Sequence, residues 1–147
     1  MTIFPGIFHN TILISAITAW LVAQIIKVVI NFMVHRTFDL YFLISSGGFP
    51  SSHAATVSAL SLGIGKYYGW DSPIFAVATV FALIVMYDAA GVRREAGKQA
   101  EVINQLVAGL YSQMSDLSQE RLKELIGHTP FEVFAGTIVG IIVGIIV

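Results

Sequence analysis

Two histidines stand in polar turns of a chain that is otherwise mostly apolar. His53 closes the run Gly47-Gly48-Phe49-Pro50-Ser51-Ser52-His53, and His128 lies in the turn Gly127-His128-Thr129-Pro130 with a carboxylate, Glu132, four residues on. One histidine can attack phosphorus while a second protonates the leaving alkoxide, and a carboxylate one helical turn away can hold the attacking ring's tautomer. His128 with Glu132, and His53, have those types. A glycine-rich turn that opens into a helix points backbone N–H groups, and here two serine hydroxyls, at whatever lies before the helix, and an anion suits that position. Lys27 and one or two arginines add cations whose donors match phosphate oxygens. The residue types therefore point to a phosphoryl group.

The elements that must position these residues follow from composition. Of 147 residues, 56% are hydrophobic and 12% charged, against about 45–50% and about 25% in soluble domains. That surplus of apolar surface needs lipid. A formal net charge of −1 without a polybasic run gives no reason to expect a nucleic-acid partner, and the lack of cysteine excludes disulfides and thiolate-held metals. Met1-Thr2-Ile3-Phe4-Pro5 carries no positive leader, so the first apolar run is expected to stay in the mature protein.

Four runs are apolar enough to cross a hydrocarbon core of ~30 Å as helices. They extend from about Phe8 to Val34, from Pro50-Ser51-Ser52-His53 to Tyr68, from Pro73 to Ala90, and from Phe131 to Val147. The second is the weakest span, since its Ala, Ser and Gly residues suit close helix packing better than lipid contact. In the fourth, Gly136, Gly140 and Gly144 repeat at four-residue spacing, a stripe expected to face protein, either this subunit or a second copy in a homodimer. The polar insert at about 91–127 carries Val102, Ile103, Leu106, Val107, Leu110 and Tyr111 at helical spacing, which predicts an amphipathic helix. A second short helix is expected from about Asp116 to Ile126, ending at Gly127. The fold class is thus all-α: a single membrane-embedded domain over 1–147, a polytopic bundle of about four transmembrane helices.

Four spans place both chain ends on one side. Lys27, Arg36, Arg93, Arg94, Lys98, Arg121 and Lys123 then share a face and only Lys66 the other, which predicts that the first face is cytoplasmic. Both histidine turns and the end of the third helix share that face with Lys27 and Arg36. Ionisable groups at membrane depth are expensive and by default suggest function.

At these residues the chain resembles a known superfamily. Pro50-Ser51-Ser52-His53 looks like the Pro-Ser-Gly-His motif of the type 2 phosphatidic acid phosphatases and vanadium haloperoxidases. His128-x-x-x-Glu132-Val133-x-x-Gly136 looks like their His-x-x-x-Asp-Val-x-x-Gly motif. The whole is most similar to the divergent small-membrane-protein branch, through Gly47 to His53, Asp88 to Ala100 and Gly127 to Val133 together. The resemblance implies that His128 forms a phosphohistidine, Glu132 orients it and His53 is the general acid. It further implies that Lys27, Arg36, Ser51, Ser52 and Arg93 or Arg94 hold the phosphate, with no metal and no cofactor. Ser52 stands where the superfamily has glycine, and Glu132 where it has aspartate.

Plainer roles stand beside these. Ser51 or Ser52 can cap the second helix, and Thr129-Pro130-Phe131-Glu132 reads as a capping box. Lys27 can snorkel to the headgroups, and Arg93, Arg94 and Lys98 can anchor the third helix. His9 and His35 read as interfacial, and Asp88 as a structural partner of Arg94 or another cation. The expected function is a lipid phosphate phosphatase of the plasma membrane with its site facing the cytoplasm, acting on a phosphomonoester or pyrophosphate. Phosphatidylglycerol phosphate, phosphatidic acid or an isoprenyl phosphate would fit. The rival class is a non-enzymatic membrane protein that binds an anionic lipid or acts as a scaffold.

Overall fold

A computed structural model describes residues 6–36, 47–111 and 128–147. A single 3₁₀ turn, Ile7–His9, leads into α1 (Thr11–His35), followed by α2 (Ser52–Tyr68), α3 (Pro73–Ala90), α4 (Val92–Tyr111) and α5 (Pro130–Ile146). The four apolar runs are helices, and the starts follow local capping chemistry. Asn10, Ser51, Ser72 and Thr129 each sit in extended backbone and accept a hydrogen bond from the first turn of α1, α2, α3 and α5 respectively. Pro73 and Pro130 take the first position of their helices, where no N–H is needed.

The distribution of side chains is the reverse of a soluble core. Along α1 the inward face is Ser15, Ala16, Ala19, Ala23, Gln24, Lys27 and Asn31, whereas Ile14, Ile17, Leu21, Ile25 and Val29 face out. Large apolar side chains on the exterior with small and polar ones inside fit a bundle solvated by lipid, where helices associate by close packing. The membrane bundle expected from composition is therefore the observed architecture.

The weakest span turns out to be its centre. α2 touches α1, α3 and α5, and α1 also touches α5, while α3 meets α5 lightly and, among the described helices, α4 contacts α3 alone. With Ala54, Ala55 and Ala59 fully buried, α2 needs no large side chains because its neighbours approach its backbone. The three glycines of α5 permit this. A side chain at Gly136 would run into the Ser51 carbonyl, and one at Gly140 into the carbonyl of Ala55. At Gly144 a Cβ would lie 2.7 Å from Leu62. The stripe is thus taken up by α2 of the same chain, so a second copy has no room on it.

The matched steps Ser51/Gly136 and Ala55/Gly140 make α2 and α5 parallel. By contrast α1 runs against α2, since Gly63 meets Ile12 while Gly48 meets Lys27. α3 also opposes α2, with Ser61 bonded to Thr79 near one end and Ala54 packed with Ala89 near the other. Consequently the first residues of α1 and the last of α5 share one end of the bundle, as four spans require. The amphipathic helix expected in the insert is α4. The short helix expected at Asp116 to Ile126, with Gly127, lies outside the described residues.

Candidate functional site

The N-termini of α2 and α5 start side by side because the chain bonds them through their backbones. Ser51 N donates to the Glu132 carbonyl at 3.0 Å, and His128 N donates to the carbonyl of Ala89, near the end of α3, at 3.1 Å. Gly136 makes the first of these bonds attainable, since its missing side chain lets the Ser51 carbonyl rest on α5. Phe49 and Phe131 stack above the junction with ring centroids 5.5 Å apart. Two helix N-termini therefore deliver their positive ends to the same place.

His53, in the first turn of α2, and His128, just before α5, come together there with ring centroids 6.0 Å apart, edge to face. His128 is 1% exposed. Its Nδ1 lies 3.0 Å from Glu132 Oε2. That oxygen also accepts from Thr129 N at 3.1 Å, and Glu132 N donates to Thr129 Oγ1 at 3.3 Å. The capping box and the histidine clamp, two readings that the sequence sets against each other, coexist on one carboxylate oxygen. A carboxylate accepts only, so this contact puts the ring proton on Nδ1 and the lone pair on Nε2.

Lys27 is 2% exposed and lies on the inward face of α1. Its stem runs along Gly48: a Cβ built there would meet Lys27 Cδ at 3.4 Å, and Gly48 itself adopts φ +93°. The backbone conformation demands glycine at this turn, and the lysine stem lies at ordinary contact distance from it. Ser51 is fully buried, and its Oγ accepts from Ala54 N, so it caps α2 and keeps its own proton to donate. Its backbone N–H, expected to point at an anion, is instead committed to the Glu132 carbonyl. Ser52, 2% exposed, occupies the first position of α2.

Arg36 ends α1 in left-handed backbone, φ 57°, and is exposed. It stands about 13 Å along the helix axis beyond Lys27, outside the buried group. Arg93 and Arg94 fall in the first turn of α4, next to the α3 end that holds His128, and their side chains lie outside the described residues. Asp88 is half-buried one residue before Ala89. His9 is exposed at the far end, and the side chain of His35 lies outside the described residues. Among the described residues no three His, Asp or Glu side chains lie close enough to hold a metal ion.

Two further buried polar residues stand beside the lysine. Gln24 (2% exposed) and Asn31 (9%) flank Lys27 on the inward face of α1. Their signal was in the sequence: they are the other polar breaks in the first apolar run, at positions i−3 and i+4 from the lysine.

A family model described as the divergent PAP2 family matches residues 8–143. The chain belongs to that family. A relative in Bacillus subtilis (strain 168), the uncharacterized membrane protein YuiD, is 45% identical over an alignment that covers 93% of each chain. No solved structure matches. Both histidine turns fall within the matched residues, and they form the cluster just described.

Proposed function

We propose that this protein is a membrane-embedded lipid phosphate phosphatase working through a phosphohistidine. The observation that carries the reading is the pairing of His128, clamped at Nδ1 by Glu132, with His53 across 6.0 Å at the joined N-termini of α2 and α5. In the first step the Nε2 lone pair of His128 attacks phosphorus, the P–O bond to the lipid alkoxide breaks, and His53 gives that oxygen its proton. In the second, His53 takes a proton from water, the water oxygen attacks phosphorus, the P–N bond breaks, and orthophosphate leaves. Glu132 stabilises the imidazolium character that His128 gains in the attack. Lys27, the hydroxyls of Ser51 and Ser52, and Arg93 or Arg94 from the start of α4 balance the charge on the phosphoryl oxygens. Arg36 contributes at longer range.

Membrane depth supports a lipid substrate, because a tail-anchored phosphate arrives at headgroup level, where this end of the bundle lies. The basic residues gathered on the same end support a cytoplasmic orientation, and with it lipids made on the inner leaflet. Phosphatidylglycerol phosphate, phosphatidic acid and isoprenyl phosphates are the candidates to assay first.

The test is release of orthophosphate by purified protein from a panel of these lipids, with His128→Ala and His53→Ala as controls. Labelled phosphate should be recovered on the unaltered protein after a rapid alkaline quench and be absent from His128→Ala protein. Binding of lipid phosphates without release by the unaltered protein would instead identify an anionic-lipid-binding membrane protein.

A further inference from the structure

One residue parts α3 from α4. The first of these helices ends at Ala90, the second begins at Val92, and between them Gly91 has φ −107° and ψ −83°. Gly91 serves both. Its N–H donates to the Tyr87 carbonyl at 2.8 Å and closes α3, while its own carbonyl accepts from Glu95 N at 3.0 Å, in the first turn of α4. Residue type matters here, because a Cβ at this position would lie 3.0 Å from the Tyr87 carbonyl and press on the bond that ends α3.

A break at this point changes what the last carbonyls of α3 can do. In an unbroken helix the Ala89 carbonyl would be taken by the N–H four residues on, that of Arg93. At a helix end such carbonyls are open to other donors. Here the donor is His128 N, at 3.1 Å. Ala89 is buried and packs with Ala54 and Val133, so its carbonyl is held at a fixed height beside α2 and α5. The backbone of His128 is thereby fixed from α3, and its ring from Glu132 of α5. Place and ring orientation come from two different helices.

We propose that Gly91 is a positioning residue for the nucleophile: by breaking the helix it hands the Ala89 carbonyl to His128. The inference takes from the phosphatase reading only that His128 attacks phosphorus, and the placement of His128 can be measured without any reaction. Alanine at the break favours the continuous helix about fivefold over glycine. Each molecule that straightens returns the Ala89 carbonyl to its own helix. His128 then keeps its carboxylate but loses its anchor on α3. The same break starts α4, and with it Arg93 and Arg94, beside the carbonyl that holds the histidine. One glycine therefore sets the height of the attacking ring and the point from which the arginine pair departs.

Gly91→Ala and Gly91→Asn pull size and helix preference apart, since alanine is the smaller side chain and the stronger helix former. Full-length protein with isotope-labelled histidine, in nanodiscs, should give a downfield proton signal for His128 Nδ1–H in its bond to Glu132, identified by its loss in His128→Ala. That signal should fall by up to about fivefold in Gly91→Ala and by less in Gly91→Asn. Orthophosphate release should fall in the same order, with the melting midpoint unchanged. An unaltered signal in Gly91→Ala, or a loss that follows size and is larger for asparagine, overturns the proposal. So does a drop in melting that accompanies equal loss of signal in both variants, since Gly91 would then only pack. If the signal responds as expected while the unaltered protein releases no phosphate, the placement of His128 by Gly91 stands and the phosphatase reading alone falls.

Discussion

The two ends of this bundle are built from the same helices, yet they treat a lysine in opposite ways. At one end Lys27 is withdrawn from solvent against Gly48, beside two helix N-termini and two facing imidazoles. At the other, Lys66 is exposed in the last turn of α2, and its ammonium donates to the carbonyls of Gly144 at 3.0 Å and Ile145 at 3.3 Å. A cation on the last carbonyls of a helix satisfies acceptors that have no partner within it. Lys66 therefore completes a structure, whereas Lys27 is buried at the end where Glu132 and the two imidazoles gather. A charged residue in a membrane protein signals a site through the geometry around it, and its rarity alone says less.

That contrast is open to attack by substitution. His128→Ala is expected to lower phosphate release on the order of 10⁴-fold while the protein still extracts and elutes as wild type does. Retention of even a tenth of the activity would remove the nucleophile from the site end. Glu132→Gln should reduce the rate by about 10²-fold or more, because an amide oxygen cannot stabilise the developing imidazolium as a carboxylate does. If Glu132 served the helix cap alone, the rate would hold and only thermal stability would move. Gly136→Val should lower activity about tenfold or more and the unfolding midpoint by several degrees, since the Ser51 carbonyl occupies the space of the new side chain. Circular-dichroism melts beside the assay separate the two effects. Smallest of all, Lys66→Met should leave the rate within about twofold and shift melting by a few degrees at most. A large rate loss there would mean that the two ends are coupled, and the contrast would fall.

Much of this was legible in the sequence for physical reasons that differ by element. The helices over Pro73–Ala90 and Pro130–Ile146 were readable because serine or threonine followed by proline fixes a start locally. The gathering of His53, His128 and Lys27 at one end followed from counting spans, since each crossing reverses direction. What α5 faces was not readable. Gly136, Gly140 and Gly144 announce a close approach but not a partner, and only tertiary packing reveals that α2 fills it. For Glu132 the residue types offered two roles, and a choice between them was unnecessary because Oε2 serves both His128 and Thr129. For Arg36 the type suits phosphate, and the position was not readable: it stands exposed at the end of α1, beyond the buried cluster.

The bond from Ser51 N to the Glu132 carbonyl joins parts of the chain that leave the ribosome at widely separated times. While α1 to α3 are being inserted, His53 already exists but the surface that will meet it does not. Only the arrival of the last helix brings His128, its carboxylate and the glycine that admits the serine carbonyl. The paired histidines are therefore assembled only when the last helix has been made and packed.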